Sequence, residues 1–172
     1  YVISLLTFFI KNYIIEKRKE HWEKEHDIEW DKQLREAIAK RLCEDKELLE
    51  EVKQDPSKLI EMCFVVVDKE QVTMPFFFNE VQQDFINTLN KAIKDYEDGT
   101  INNISILILK GRQQGFTTCV TAYQLAYAIT HRNFQGFTLA DVMDNSEAIF
   151  QNKAKFVFNQ LPSRIQPTQK YN

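Results

Sequence analysis

The sequence predicts an α/β domain preceded by a charged helical extension, and three observations carry that expectation. Residues 11–55 contain neither Gly nor Pro, are rich in strong helix formers, and hold 11 basic and 14 acidic residues, the composition of a solvated helical segment. From residue 104 the pattern changes to a nearly unbroken apolar run, a glycine-bearing loop, and a stretch over 117–131 with no formal charge, which is the order strand, loop, buried helix. A second extended run over 134–140 and a helix after it complete a βαβα order, for which a parallel sheet with right-handed crossovers is expected. The length of 172 residues suits one domain with an appendage rather than two full domains.

The chain opens on Tyr1 with an apolar run that continues to Ile14 and Ile15, and a segment cut from something longer is expected. The run is shorter than the roughly 20 residues that span a bilayer and lacks the basic start of a signal peptide. It is read as a packing helix with a sticky face, without stable membrane association. Over 11–55 the apolar residues, among them Trp22, Trp30, Leu34, Ile38, Leu42, Leu48 and Val52, recur at about a helical turn, so residues 1–59 form the helical extension and 60–172 the α/β part. Asp55 and Pro56 restart the chain, as N-cap and first helical residue of a short helix through about Glu61. Phe64, Val65, Val66 and Val67, then Val72, Met74 and Phe76, are β-formers around a polar break at 68–71, predicting two short extended segments joined by a turn. Asn79 and Gln82 stand three apart before Phe85, Ile86 and Leu89, the spacing of a capping box at the start of a helix that ends near Gly99. Asp144 with Glu147 is expected to cap the last helix, which runs to about Leu161, and Asp141 is read as a loop or capping acid.

Composition excludes several classes. The net charge of -3 is no polycation's, although residues 101–172, with 7 basic and 3 acidic residues, are basic by four. Hydrophobic residues at 44% and charged residues at 27% fit neither disorder nor a fibrous repeat. Cys43, Cys63 and Cys119 are odd in number and widely spaced, and His21, His26 and His131 stand in no metal-ligand pattern, so neither a disulfide framework nor a zinc site is expected.

The chemistry concentrates in the loop Lys110, Gly111, Arg112, Gln113, Gln114, Gly115, Phe116, Thr117 and Thr118. An extended segment entering a glycine-bearing loop and then a helix aims backbone N–H groups and a helix N-terminus at one point, the arrangement of an anion site. The ordinary phosphate loop, G-x-x-x-x-G-K-[ST], is not matched: Phe116 stands where Lys is usual and Lys110 where the first Gly is usual. A cation is present at the other end of the loop. Each residue also has an ordinary reading: Lys110 and Arg112 as exposed loop cations, Thr117 as an N-cap, Gly115 as a turn former, and Gln82 as the capping partner of Asn79.

This loop closely resembles the variant Walker A loop of phage terminase large subunits, the DNA-packaging ATPases, in which K-x-R-Q-x-G-x-[ST] is frequent. The stretch 72–86, with Pro75, Phe76, Asn79 and Gln82, resembles the adenine-binding Q motif of the same family. Residues 137–141 and the helix after Asn145 resemble its next strand and helix, so the resemblance covers about 60–162. It implies that the α/β part is a partial P-loop NTPase, a parallel sheet with flanking helices, binding ATP and Mg²⁺. Carried onto this sequence, it implies that Lys110 contacts the β and γ phosphates, Arg112 lies beside the γ-phosphate as trigger or sensor, Thr117 ligates Mg²⁺ and Gln82 hydrogen-bonds adenine. Gly115 would let the backbone approach the phosphates, Phe116 would contribute its backbone alone, and Gly111, Gln113, Gln114 and Thr118 would complete the cofactor-binding loop. The partners implied for the complete protein are double-stranded DNA, a portal protein on which copies assemble, and a small terminase subunit, in the cytoplasm of an infected bacterium.

Hydrolysis in this class also needs an acidic strand end and a Glu that activates water. Residues 160–172 hold no acid, and the family's nuclease carboxylates have no counterpart. The expectation is therefore a fragment that cradles nucleotide without turning it over. Two other readings stand beside it: a helicase-like translocase, which shares a glutamine motif upstream of a phosphate loop, and an interaction module in which the charged helices bind a partner.

Overall fold

The computed structural model describes residues 2–109 and 114–167, with side chains described from Asn12 onward. Helices dominate. Four come first: α1 Val2–Glu25, α2 Ile28–Glu44, α3 Lys46–Gln54 and α4 Ser57–Cys63. The hairpin of β1 Val65–Val67 and β2 Thr73–Pro75 follows, then α5 Glu80–Glu97 and α6 Phe116–Thr130. Near the end, α7 Met143–Ile149 passes through a π-helical stretch, Phe150–Lys155, into α8 Phe156–Asn159. Among the described residues, no helix is long and apolar enough to cross a membrane.

Local chemistry explains the breaks. Asp27 caps α2, its Oδ1 accepting from the Trp30 N–H at 2.9 Å, and Asp45 caps α3 by accepting from Glu47 and Leu48; each side chain satisfies N–H groups that have no intrahelical partner. Asp55 accepts from the Ser57 N–H at 3.2 Å, but Pro56 rather than Asp55 holds the N-cap position and α4 begins at Ser57, one residue later than expected. The polar break at 68–71 turns the hairpin, because Asp68 Oδ1 accepts from both the Glu70 and Val72 N–H groups at 2.8 Å, fixing the antiparallel register of Val66 opposite Met74. The capping box at α5 is present in both directions: the Gln82 N–H donates to Asn79 Oδ1 and the Asn79 N–H to Gln82 Oε1. At α7 the expected cap is not made. Val142 holds the N-cap position, and Asp144 lies inside the first turn.

The parallel sheet of a P-loop NTPase is overturned. Among the described residues the sheet is one two-stranded antiparallel hairpin, and neither 104–109 nor 134–140 is a strand. A strand exists only when its backbone N–H and C=O groups find a neighbouring ladder. The backbone amides of 104–109 donate to no other backbone carbonyl among the described residues. Both segments nevertheless keep an alternation of two. Ile104 and Ile106 line a groove against α5 and α6 yet stay 37% and 36% exposed, whereas Leu107 and Leu109 are 88% and 90% exposed, as are Phe137 and Leu139 at 79% and 93%. An apolar run of this length signals burial on two faces; here one face is partly screened by the groove and the other is bare.

Residues from both sides of position 60 share one buried cluster, in which Ile15, Ile38, Leu42, Leu48 and Val52 pack with Ile60, Met62, Phe64, Ile86, Cys119, Val157 and Leu161. The charged segment is thus more than a solvated face. Its strongest tie is ionic. Arg18, with no exposure, donates to both carboxylate oxygens of Asp31 at 2.6 and 3.1 Å, and to the backbone carbonyls of Glu61 and Phe64 at 2.7 and 3.0 Å. Arg35 donates to Asp31 at 2.9 Å and to the Gln160 carbonyl at 2.6 Å. One carboxylate between two guanidiniums, with the remaining donors on helix-end carbonyls, satisfies the charges that burial would otherwise penalise.

Candidate phosphate site at the start of α6

The chain enters α6 through Gly115, whose φ of 69° and ψ of 14° are left-handed, a conformation that Gly adopts without steric cost. The first amide bonded back inside the helix is that of Cys119, to the Gly115 carbonyl at 2.9 Å. The N–H groups of Phe116, Thr117 and Thr118 therefore have no intrahelical acceptor, and Gly115 offers no side chain to cap them. Those amides and the helix dipole make this end electropositive.

Four side chains frame it. Gln82, 5% exposed, donates from Nε2 to the Gln114 carbonyl at 3.1 Å while its Oε1 closes the capping box. Its amide is thereby committed to two backbone segments, at Asn79 and Gln114, the two stretches that the sequence assigns to one site. In this arrangement Gln82 braces the loop, and its oxygen is already engaged by Asn79. Phe116 is buried, its ring edge-on to Phe85 with centroids 5.7 Å apart, so its side chain anchors α6 in addition to any backbone role. Thr117 is exposed, and its hydroxyl makes no hydrogen bond among the described residues. Thr118 Oγ1 accepts from Lys153 Nζ at 2.8 Å.

Lys110, Gly111, Arg112 and Gln113 lie outside the described residues. The expected site residues within them are Gln82, Gln114, Gly115, Phe116, Thr117 and Thr118, and these are brought together. Lys153 joins them from the π-helical stretch, and sequence reasoning missed it: the contact spans 35 positions and no motif marks it. Behind this end, burial pushes the Cys119 thiol up to about 12, so it is held as a neutral packing group. Further along α6, burial first and then the charge of Asp55 raise the Tyr123 phenol; its hydroxyl donates to Asn90 at 2.7 Å, and Asn90 donates to Asp55 at 2.9 Å. Asp141 is exposed and accepts from Asn145 at 2.6 Å, which lowers its pKa, in keeping with a local loop role.

A divalent ion bound with a polyphosphate typically takes one or two protein oxygens, its other ligands being phosphate and water. The exposed Thr117 hydroxyl, without a hydrogen bond among the described residues, could supply one such oxygen. Among the described residues, no group of three or more His, Cys, Asp or Glu side chains is placed to hold a metal by itself. Compared with protein-family models, curated proteins and solved structures, the chain has no match.

Proposed function

We propose that this chain is the nucleotide-binding part of a terminase-type DNA-packaging motor, holding ATP with Mg²⁺ at the start of α6. The observation that carries the reading is the Gln82 Nε2 to Gln114 carbonyl bond, because it joins the glutamine stretch to the glycine loop at a helix end whose first amides have no intrahelical acceptor. The phosphates would accept from the Phe116, Thr117 and Thr118 N–H groups, with the left-handed Gly115 permitting close backbone approach. Thr117 would ligate Mg²⁺, Lys110 would reach the β and γ phosphates, and Arg112 would sit beside the γ-phosphate. Gln82 would fix the loop. Bound ATP would supply the energy of phosphoryl transfer for DNA translocation in the complete motor, with portal protein, small subunit and DNA as its partners in the host cytoplasm; this sequence has no acid after Glu147 to complete the hydrolytic chemistry.

The reading is tested by titrating the 172-residue chain with a fluorescent ATP analogue, with and without Mg²⁺, and displacing it with ATP. Saturable binding that Mg²⁺ strengthens, and that loses this Mg²⁺ dependence in Thr117→Ala, supports it. No saturable binding up to millimolar ATP refutes it.

A further inference from the structure

A groove of about 980 Å³ lies at the C-terminal end of α6, walled by α2, α3, the end of α6 and the segment after α8. Its charge is of one sign. Lys53, His131, Arg132 and Arg164 line it and no acidic residue does, in a chain where acids outnumber bases by 25 to 22. Lys53 is held by Glu50. Among the described residues Arg18, Arg35 and Arg41 each pair with a carboxylate, and the two arginines that pair with none, Arg132 and Arg164, are both exposed and both on this groove. The C-terminal end of α6 carries about half a negative charge, too little to balance two guanidiniums. The rest of the lining is largely apolar. Leu49, Ile129 and Ile165 are half-buried and Phe134 is 37% exposed, above a floor of buried Leu42 and Val52.

We propose that this groove is a docking surface for an acidic amphipathic helix of another protein, whose carboxylates pair with Arg132 and Arg164 and whose apolar side chains cover Leu49, Ile129, Phe134 and Ile165. Charge complementarity selects the occupant. An arginine fork matches a carboxylate bidentately, and the apolar lining calls for side chains that a nucleic-acid backbone does not bring. Size agrees: a helix about 10 Å across fills about 420 Å³ per turn, so the groove takes about two turns. The chain's own acidic helix α3 keeps Leu48 and Val52 in its core and is not the occupant. Because α6 is 15 residues long, about 22 Å, the groove stands apart from the candidate phosphate site, and the inference does not depend on the nucleotide reading.

The test titrates a fluorescein-labelled peptide about two heptads long, with leucine on one face and glutamate elsewhere, into the 172-residue chain and follows anisotropy. Both arginines are exposed, so a neutralised double variant, Arg132→Gln with Arg164→Gln, and a reversed one, Arg132→Glu with Arg164→Glu, should keep wild-type helicity and thermal midpoint. Wild type should bind saturably, the neutralised variant about tenfold more weakly, and the reversed variant more weakly still. A peptide with lysine in place of glutamate should bind the reversed variant and not wild type, and one with serine in place of leucine should bind wild type about tenfold or more weakly. No saturable binding of the leucine–glutamate peptide, unchanged affinity in both double variants, or equal binding of the serine peptide overturns the inference. A single-stranded oligonucleotide that binds wild type more tightly than the peptide overturns it in favour of nucleic acid. Self-association in sedimentation at rising concentration, abolished in the reversed variant, overturns it in favour of a second copy.

Discussion

Replacing Gly115 by alanine tests whether the loop and the glutamine stretch form one unit. Alanine at a φ of 69° meets the left-handed penalty of about 1–2 kcal/mol. Its Cβ would also lie 2.7 Å from Gln82 Nε2, closer than non-bonded atoms sit. That nitrogen ends a flexible side chain, so the contact is relieved by moving the amide; the cost is what the amide drops. It would lose the bond to the Gln114 carbonyl, worth about 1 kcal/mol, and loosen the capping box of α5, worth about another 1 kcal/mol. Gly115→Ala should therefore destabilise by about 3–4 kcal/mol. Gly99 supplies the control, because its φ of 72° is nearly the same and a Cβ there meets nothing within 4 Å. Gly99→Ala should cost the backbone term alone, about 1–2 kcal/mol. Equilibrium urea unfolding with linear extrapolation reads both values. In a Gln82→Ala background the extra cost at Gly115 should vanish, since the colliding amide is gone, leaving a coupling of about 1–2 kcal/mol in the double-mutant cycle. If Gly115→Ala and Gly99→Ala differ by less than about 0.5 kcal/mol, the brace between Gln82 and the loop contributes nothing and the reasoning fails.

Asp31→Ala should be among the most damaging single changes, costing about 3–5 kcal/mol, because it strands two guanidiniums that are almost wholly buried; a chemical denaturation midpoint close to wild type would contradict this. Cys43 is exposed while Cys63 and Cys119 are buried, so a thiol reagent at mildly alkaline pH should modify one cysteine in the native chain and three after unfolding; rapid native labelling of two or more would show the core to be open. Burial pushes both core thiols up to about 12 from 9.0. A folded pKa above the unfolded one contributes stability that is fully present below pH 9.0 and is lost as pH rises towards 12. Unfolding free energy should thus decline across that window, and the Cys119→Ala variant should decline less steeply; a pH-independent difference between the two proteins would count against neutral burial as the cause.

Sequence alone determined the pieces whose cause is local. The capping box at Asn79 and Gln82, the turn at 68–71 with its flanking extended segments, the restart at Asp55 and Pro56, and the helix that follows Gly115 all depend on neighbours within about four positions. Their hydrogen bonds are visible in residue spacing. The tertiary structure decided whatever depends on distant partners. Residues 104–109 have the apolar density of a buried strand, but a strand is a relation between two backbones, and no neighbouring ladder meets them among the described residues; the alternation survives as one partly screened and one bare face. The charged segment was legible as helix and not as core, because Arg18, Asp31 and Arg35 look like solvated charges until the carbonyls of Glu61, Phe64 and Gln160 are seen to receive them. The same holds at the candidate site. Gln82, Gly115 and Thr117 stand out by residue type and spacing, whereas Lys153 is an ordinary surface lysine in the sequence and becomes a cation at the start of α6 only through the packing of the π-helical stretch on that helix. Contact across 35 positions leaves no periodic trace, since nothing in the intervening chain has to repeat for the two ends to meet.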